Sequence, residues 1–597
     1  MLRQIKINLN TYIYKQIPVY ICNEIINMST MKILIESRNY DAWYFANPDT
    51  YERLDSPVAN WTPAEKKLFT KDTILPNGDL VYSPTRQLLI PGVLILEGSK
   101  TYGRMGKRLL YQCVPNDRFL PVFLVPYEQK LGFSKDIKNR YVVFQFDQWT
   151  EKHPHGILRE NLGTVDQLDA FYEYQIYCRS LHQSIADFNK TTKAALSTKP
   201  LSEYTNQIRQ NTDYQIQADS SPHIFTIDPK GSSDFDDAFS IESLTPTKTR
   251  VHIYIANVYV WLDTMGLWRS FSKRVSTIYL PDFRRPMLPT ILADSLCSLD
   301  NGEPRFAFRL SLDMENGIPQ MDTIQFHNVE IQVQQNYVYE STELLRNPCY
   351  QHLLSITQRL DPNVEDSHDT VSFWMIFMNQ TCGQFLAKKG KGVFRQAALT
   401  NTESYEQTVR EIPDGLDKNT QRLISNWNHT TGNYVLCPDA KHAILKTESY
   451  AHITSPIRRL VDLLNQITFS QEYGVVTRLS RDAQEFVDRW RNDLDYINTT
   501  MRSIRKVEID CDVLKQCYAH PEWMQHLHQG VVFDQVTKPD GTFSYMVYLE
   551  ELKILSRIST IHPLTNYSKH PFRLFLFEDE NKIKNKIRLE IHINAIL

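Results

Sequence analysis

Four aspartates fall within ten residues of one another, Asp228, Asp234, Asp236 and Asp237, in the stretch HIFTIDPKGSSDFDDAFSI. Carboxylates at that density repel, and a fold tolerates them where they are solvated, share protons or neutralise a cation. An all-oxygen set suits a hard ion, Mg²⁺ or Mn²⁺. Such ions activate water and shield phosphate in phosphoryl chemistry. Two other readings stay open here. One is a solvated acidic turn. The other is a structural calcium loop, although Gly231 is misplaced for an EF-hand and no ladder of ligands follows Asp228 at the needed spacing.

A second stretch, YAHITSPIRRLVDLLNQI from Tyr450, carries the opposite charge. Thr454 and Ser455 are N-cap candidates, and Pro456 fits a first helical position. Ile457, Leu460, Val461 and Leu464 recur at helical spacing. The pattern predicts a helix with Arg458 and Arg459 in its first turn. Cations there oppose the helix dipole unless an anion binds. A phosphate, gripped by the Arg458 fork, resolves the conflict. Pairing of both arginines with surface carboxylates is the alternative.

These residues need a scaffold. His223 to Ile227 reads as a strand, Pro229 to Ser233 as a loop, and Ala238 to Ile241 as a second strand. VHIYIANVYVWL, from Val251 to Leu262, reads as a long strand, and Arg305 to Leu312 as another, ending at the turn Asn316-Gly317. A buried helix is expected over Val371 to Lys388. Four short strand candidates between Gln87 and Gly163 predict a small barrel, followed by a helix from about Val165 to Asn189. Arg104, Lys107 and Arg108, with Tyr102, Tyr111 and Phe119 nearby, are what a single-strand nucleic-acid binder uses; a barrel with core aromatics and solvated charges is the alternative. Alternating strands from Gln529 onward, with Lys582, Lys584, Lys586 and Arg588, predict a second barrel. Residues 1–85 show no motif beyond a short helix opened by Thr62-Pro63.

The bulk numbers set limits. With 597 residues the chain should hold several domains. A net charge of −3 means that any nucleic-acid surface is local. Nine cysteines without a CxxC pair argue for a reducing compartment, cytoplasmic or nuclear, and against a zinc knuckle. No apolar run is long enough to span a bilayer, and the N-terminal segment lacks the apolar stretch of a signal peptide.

TIDPKGSSDFDDAFS, YLPDFRRPMLP, LCSL and YAHITSPIRRLVD occur in the order seen in the ribonuclease II / ribonuclease R family, which the chain resembles from about Gln87 onward, most closely in its exosome-subunit type. The resemblance implies an α+β protein: a mixed RNB catalytic domain (215–520) flanked by cold-shock or OB-like barrels (86–190 and 528–597), after a divergent segment (1–85). It implies a 3′→5′ hydrolytic exoribonuclease that releases nucleoside 5′-monophosphates from single-stranded RNA, with Mg²⁺ or Mn²⁺ as cofactor and an RNA-decay complex as a source of protein partners. Asp228 and Asp237 would then hold one ion. Asp234 and Asp236 would complete the site with a second ion and position the attacking water. Arg458, with Arg459 beside it, would meet the scissile phosphate, Tyr279 would stack near the RNA end, and Tyr339 would clamp the terminal base. Stacking accepts any base, and ribose hydroxyls distinguish RNA from DNA.

Four positions depart from the family pattern. Asn257 replaces an aspartate, Ser372 a glutamate that helps hold the last nucleotide, Gln396 a histidine and Leu460 a tyrosine. The segment between Tyr339 and Met375 is also shorter, as though a β-hairpin were missing. A protein that keeps the fold and binds RNA without cleaving it is therefore the competing expectation.

Overall fold

The structure, a computed structural model, describes residues 30–54, 60–128, 137–396, 412–413, 415–430, 432–436, 449–538, 540–578 and 585–592. Residues 1–29, Lys582 and Lys584 lie outside these, as do the side chains of Lys586 and Arg588. The chain divides into two compact units, Met1–Ser180 with Phe577–Asn585, and Leu181–Leu576 with Lys586–Leu597.

In the first unit the segment that showed no motif forms a four-stranded sheet, ordered Trp43–Ala46, Met31–Ile35, Thr73–Ile74, Leu80–Tyr82. Ile33, Phe45, Leu68 and Ile74 make its core. Thr62 and Glu65 exchange backbone-to-side-chain bonds as a capping box, but they close a turn and not the expected helix. The expected barrel follows, with Arg140–Phe146, Leu89–Leu94 and Arg108–Pro115 at its centre. Gly156–Thr164 is a further strand, paired with Arg140–Phe146. His155 bridges back to Leu124 in the strand Phe123–Tyr127. Tyr111 is buried with Phe123 and Phe144, so it is core and not a base-stacking surface. The helix expected over Val165–Asn189 is two, Leu168–Cys178 and Ala186–Thr198, separated where Ser180 adopts φ 56°.

The second unit is built on a seven-stranded sheet: β1 (Gln217–Ala218), β2 (Ile224–Asp228), β3 (Asp237–Ser243), β4 (Lys248–Ala256), β5 (Arg305–Glu315), β6 (Ile318–Ile331) and β7 (Val333–Val338). Its order is β1-β6-β5-β4-β3-β2-β7, antiparallel except for β1 on β6 and β2 on β7. The β5–β6 hairpin turns at Asn316-Gly317, both with positive φ, as a two-residue turn matched to strand twist requires. The strand expected over Val251–Leu262 stops at Ala256, and Val258–Thr264 is a helix (α1). All five residues from Val258 to Leu262 are buried, so tertiary packing overrides β propensity.

Helices α2 (Pro348–Leu360) and α3 (Ser367–Lys388) cover one face of the sheet. Leu353, Ile356, Trp374 and Met378 pack there against Phe225, Phe239, Ile253 and Leu310. Asp366 caps α3 by accepting from the Asp369 N–H. Gly383 of α3 lets a second chain segment pass: a Cβ there would stand 2.9 Å from the Ala451 nitrogen. Two further helices of the unit matter for the site and its surroundings, α4 (Leu460–Tyr473) and α5 (Leu494–Ala519). The C-terminal sheet has five strands, ordered Ile554–Thr560, Phe543–Leu549, Leu527–Thr537, Lys569–Glu578, Asn585–Ile591, the first four antiparallel to their neighbours among themselves. Val513 and Cys517 of α5 join its core. No helix among the described residues is long and apolar enough to cross a membrane.

Candidate active site

Adjacent strand ends supply the acids. Asp228 closes β2 and Asp237 opens β3, with Asp234 and Asp236 in the loop between. Ser298 fixes that loop by accepting from the Phe235 N–H and donating to the Ser233 carbonyl. The basic segment is held from several sides. Asn379 of α3 accepts from the Ile453 N–H at 2.8 Å, and the Asn465 amide donates to the His452 carbonyl. The Thr277 N–H donates to the Arg458 carbonyl at 2.9 Å, and Ser276 bridges Arg459. The helix starts at Leu460, so Arg458 and Arg459 precede it instead of lying in its first turn. Pairing of this backbone with residues 275–277 replaces the expected cap, and Asp462 of α4 accepts from the Ser455 N–H.

This path brings Arg458 to the acids. Its Nε donates to Asp236 Oδ2 at 3.1 Å, and the Ile457 N–H donates to Asp236 Oδ1 at 2.9 Å. Burial nevertheless raises the Asp236 carboxyl to about 7, against the pull of Arg458 and the Ile457 N–H. Asp228 and Asp237 rise as well, first through burial and then through neighbouring carboxylates. Burial works against charge on Arg458, but Asp236 leads a set of anionic neighbours that more than offsets it, so the guanidinium stays protonated. A buried acid cluster with values pushed toward neutrality is the electrostatic mark of a functional centre.

The four acids expected to hold metal are divided by their partners. Asp236 is bonded as above. Asp234 Oδ1 lies 2.5 Å from Arg284 Nη1, and its Oδ2 accepts from the Tyr279 hydroxyl at 3.3 Å. Asp228 Oδ2 is buried with no hydrogen-bond partner. Among the described residues no three His, Cys, Asp or Glu side chains converge as a ready-made metal cage. What fits a cation is the Asp228–Asp237 pair: two half-buried, mutually repelling carboxylates, one with an orphaned buried oxygen; an ion there would complete its shell with water or substrate oxygen, as Mg²⁺ commonly does.

The aromatic residues also lie at this centre. Tyr339 donates its N–H to the Asp228 carbonyl, and its hydroxyl is raised by burial and then by Asp237 and Asp228. Its ring stacks on His368, centroids 3.7 Å apart and 8° from parallel. Tyr279 is 45% exposed, with its N–H donating to Glu508 of α5. Arg459 pairs with Asp462 at 2.9 Å and with Ser455, and makes no bond to the acid cluster.

Arg284, Asp294, His368 and Glu508 escaped the sequence reading. For Arg284 a signal existed: it is one of two paired arginines in YLPDFRRPMLP, a motif that accompanies an acid cluster short of cations. The departures fall in varied places. Asn257 donates to Asn328 in a buried amide network. Ser372 is exposed on α3, Gln396 pairs with Asn433 in a short ladder, and Leu460 is buried at the start of α4. Between Tyr339 and Met375 the chain forms helices and no hairpin.

A family model described as "RNB domain" matches residues 217–349 and 349–471, the span holding the acids and Arg458. The chain carries an RNB domain. Mouse exosome complex exonuclease RRP44 is 22% identical over 420 residues, which cover 68% of this chain and 40% of that protein. The chain thus spans about two fifths of the length of that relative. Among solved structures, Mycoplasma genitalium RNase R in complex with ribose-methylated single-stranded RNA superposes with a TM-score of 0.60 at 15% identity, covering 94% of this chain and 97% of that one. Yeast Ssd1, a pseudonuclease, superposes at 0.51 and 12%, covering 93% and 82%. At these identities the superpositions establish the fold: a mixed α/β RNB core with small β-rich flanks.

Proposed function

We propose that the protein is a 3′→5′ exoribonuclease that hydrolyses single-stranded RNA to nucleoside 5′-monophosphates with Mg²⁺ or Mn²⁺. The observation that carries this reading is the meeting of Asp236 and Arg458 beside Asp237 and Asp228, whose Oδ2 has no hydrogen-bond partner. A divalent ion on that pair would supply Lewis-acid polarisation and an acidified water. The residues of the chain do the rest. Arg458, fixed by Asp236 and Ser455, offers a fixed cation to a phosphate. The carboxyl of Asp236, poised near neutrality, can hold or take a proton at its oxygens. The exposed Tyr279 offers a face on which any base can stack, and Tyr339 could do so only on the side of its ring that His368 does not cover. The expected domain limits, 1–85, 86–190, 215–520 and 528–597, belong to this reading, as do a cytoplasmic or nuclear location and partners from an RNA-decay complex.

The test is a 5′-labelled single-stranded RNA incubated with purified protein and Mg²⁺ or Mn²⁺. A ladder or short end product that disappears with EDTA and with Asp236→Asn supports the reading. One observation favours a second reading, an RNA binder without turnover: the Tyr339 ring is already covered by His368. Retention of RNA without cleavage under either ion would establish it.

A further inference from the structure

Asp234 is the acid whose two oxygens are met by one hairpin. Ile278–Tyr279 pairs with Arg284–Arg285, and Tyr279 stands directly across from Arg284. From these facing positions the Tyr279 hydroxyl reaches Oδ2 and the Arg284 guanidinium reaches Oδ1. The hairpin is pinned. Arg285 forks onto both oxygens of Asp282 and donates to the Phe283 carbonyl, and Glu508 accepts from the Tyr279 N–H. The second terminal nitrogen of Arg284 donates to Ser233 Oγ at 2.7 Å and bonds Asp294, which fixes the plane of the guanidinium. Only 11% of the Asp234 side chain is exposed, so the pair is largely shielded from solvent screening.

We infer that Arg284 stands where a second metal ion would otherwise bind: its fixed guanidinium neutralises Asp234, and the centre takes a single divalent ion, on Asp228 and Asp237. A cation arriving at Asp234 must displace a charge-assisted bond made by a side chain that cannot leave without breaking its bonds to Ser233 and Asp294. A guanidinium also brings a charge that no chelator removes, so this part of the site is permanently loaded. The inference deepens the reading given above and rests on it for the presence of a metal.

The experiment counts ions instead of cleavage. Metal-free full-length protein is titrated with Mn²⁺, and free Mn²⁺ is followed by electron paramagnetic resonance. One equivalent is expected for the unsubstituted protein, and none for Asp228→Asn/Asp237→Asn. Arg284→Gln should admit a second equivalent, which Asp234→Asn in the same chain removes again, while Arg284→Lys stays at one. Two equivalents in the unsubstituted protein overturn the inference without reference to any variant. So does a count of one in folded Arg284→Gln, or of none in the unsubstituted protein. One bound equivalent with no RNA cleavage upholds this inference and sinks the nuclease reading, so the two fail separately.

Discussion

Two polar clusters are built on the same seven-stranded sheet, and they treat buried charge in opposite ways. Around β4 and β5, Asp313 receives two bonds from Arg250, at 2.5 and 3.1 Å, and lies 2.8 Å from Lys248. Nearby Asp219 accepts from Arg309 at 2.7 Å. Both carboxyls are held below their ordinary value: for Asp219 the bonds to Ser221 and Arg309 outweigh burial, and for Asp313 those to Arg250 lead. At the ends of β2 and β3 the same residue type is pushed up, first by burial, to which neighbouring carboxylates add at Asp228 and Asp237, while Asp236 lacks enough donors to offset it. The first cluster is balanced by the chain itself. The second is balanced only when something else arrives, and that deficit separates a site from a structural ion pair.

The comparison breaks most visibly in turnover. Asp236→Asn keeps the size of the side chain but removes the carboxylate that orients Arg458, and cleavage of labelled RNA should fall by about 10²–10³-fold, the usual scale for one preorganised electrostatic group. Asp313→Asn, in the balanced cluster, should leave turnover within about twofold. Equal losses in single-turnover assays would mean that the two clusters are not distinct in kind.

Much of this division was legible in the chain. The spacing of Asp228, Asp234, Asp236 and Asp237 announces crowding before any fold is known, and alternation in β3 to β5 gives a sheet that could hold it. What could not be read was which acid meets which cation. Thr454-Ser455-Pro456 has the composition of a cap and would make Arg458 a helix-terminal cation, yet hydrogen bonding of the Arg458 and Leu460 backbone to residues 275–277 decides its position. Long-range pairing of this kind leaves no local pattern. The run Val258–Leu262 misleads for a related reason: full burial removes the polar alternation that would tell helix from strand. Arg284 reaches Asp234 only because a short hairpin folds over the loop, and Asp294 comes from a separate helical turn, Leu292–Leu296.

Metal should sharpen the contrast in stability. An ion that binds the folded chain at about 100 times its dissociation constant adds about 2.7 kcal/mol to unfolding. Mn²⁺ should therefore raise the urea midpoint of metal-free protein, and the rise should vanish in Asp228→Asn/Asp237→Asn but persist in Asp313→Asn. Asp313→Asn instead lowers the metal-free stability by about 1.5–3 kcal/mol for lost hydrogen bonds to charged donors, and the midpoint falls with it. A midpoint that Mn²⁺ leaves unmoved would remove the claim that the first cluster awaits a cation.

The smallest effect, and the one that reads the two clusters against each other, is the pH dependence of metal-free stability. Folded Asp236 keeps its proton up to about 7, whereas an unfolded carboxyl near 3.8 has released it. The folded chain then binds more protons across that window, so this group makes stability fall as pH rises through it. In the balanced cluster the sign reverses. His252, which shares a 2.8 Å bond with Ser311, is lowered from 6.5 to about 4, first by burial and then by Arg309. The unfolded chain binds the extra proton there, so stability rises with pH from about 4 to 6.5. Asp219 and Asp313 add stability above the ordinary carboxylate range that is lost as pH falls through their lowered values. The two slopes oppose each other over the same range, so in urea midpoints measured from about pH 4.5 to about 7.5 Asp236→Asn should tilt the profile upward with pH and His252→Gln should tilt it downward. If the Asp236→Asn profile runs parallel to that of the unsubstituted chain, its carboxyl is not held near neutrality, and the charge deficit proposed for this end of the sheet has to be sought in Asp228 and Asp237 alone.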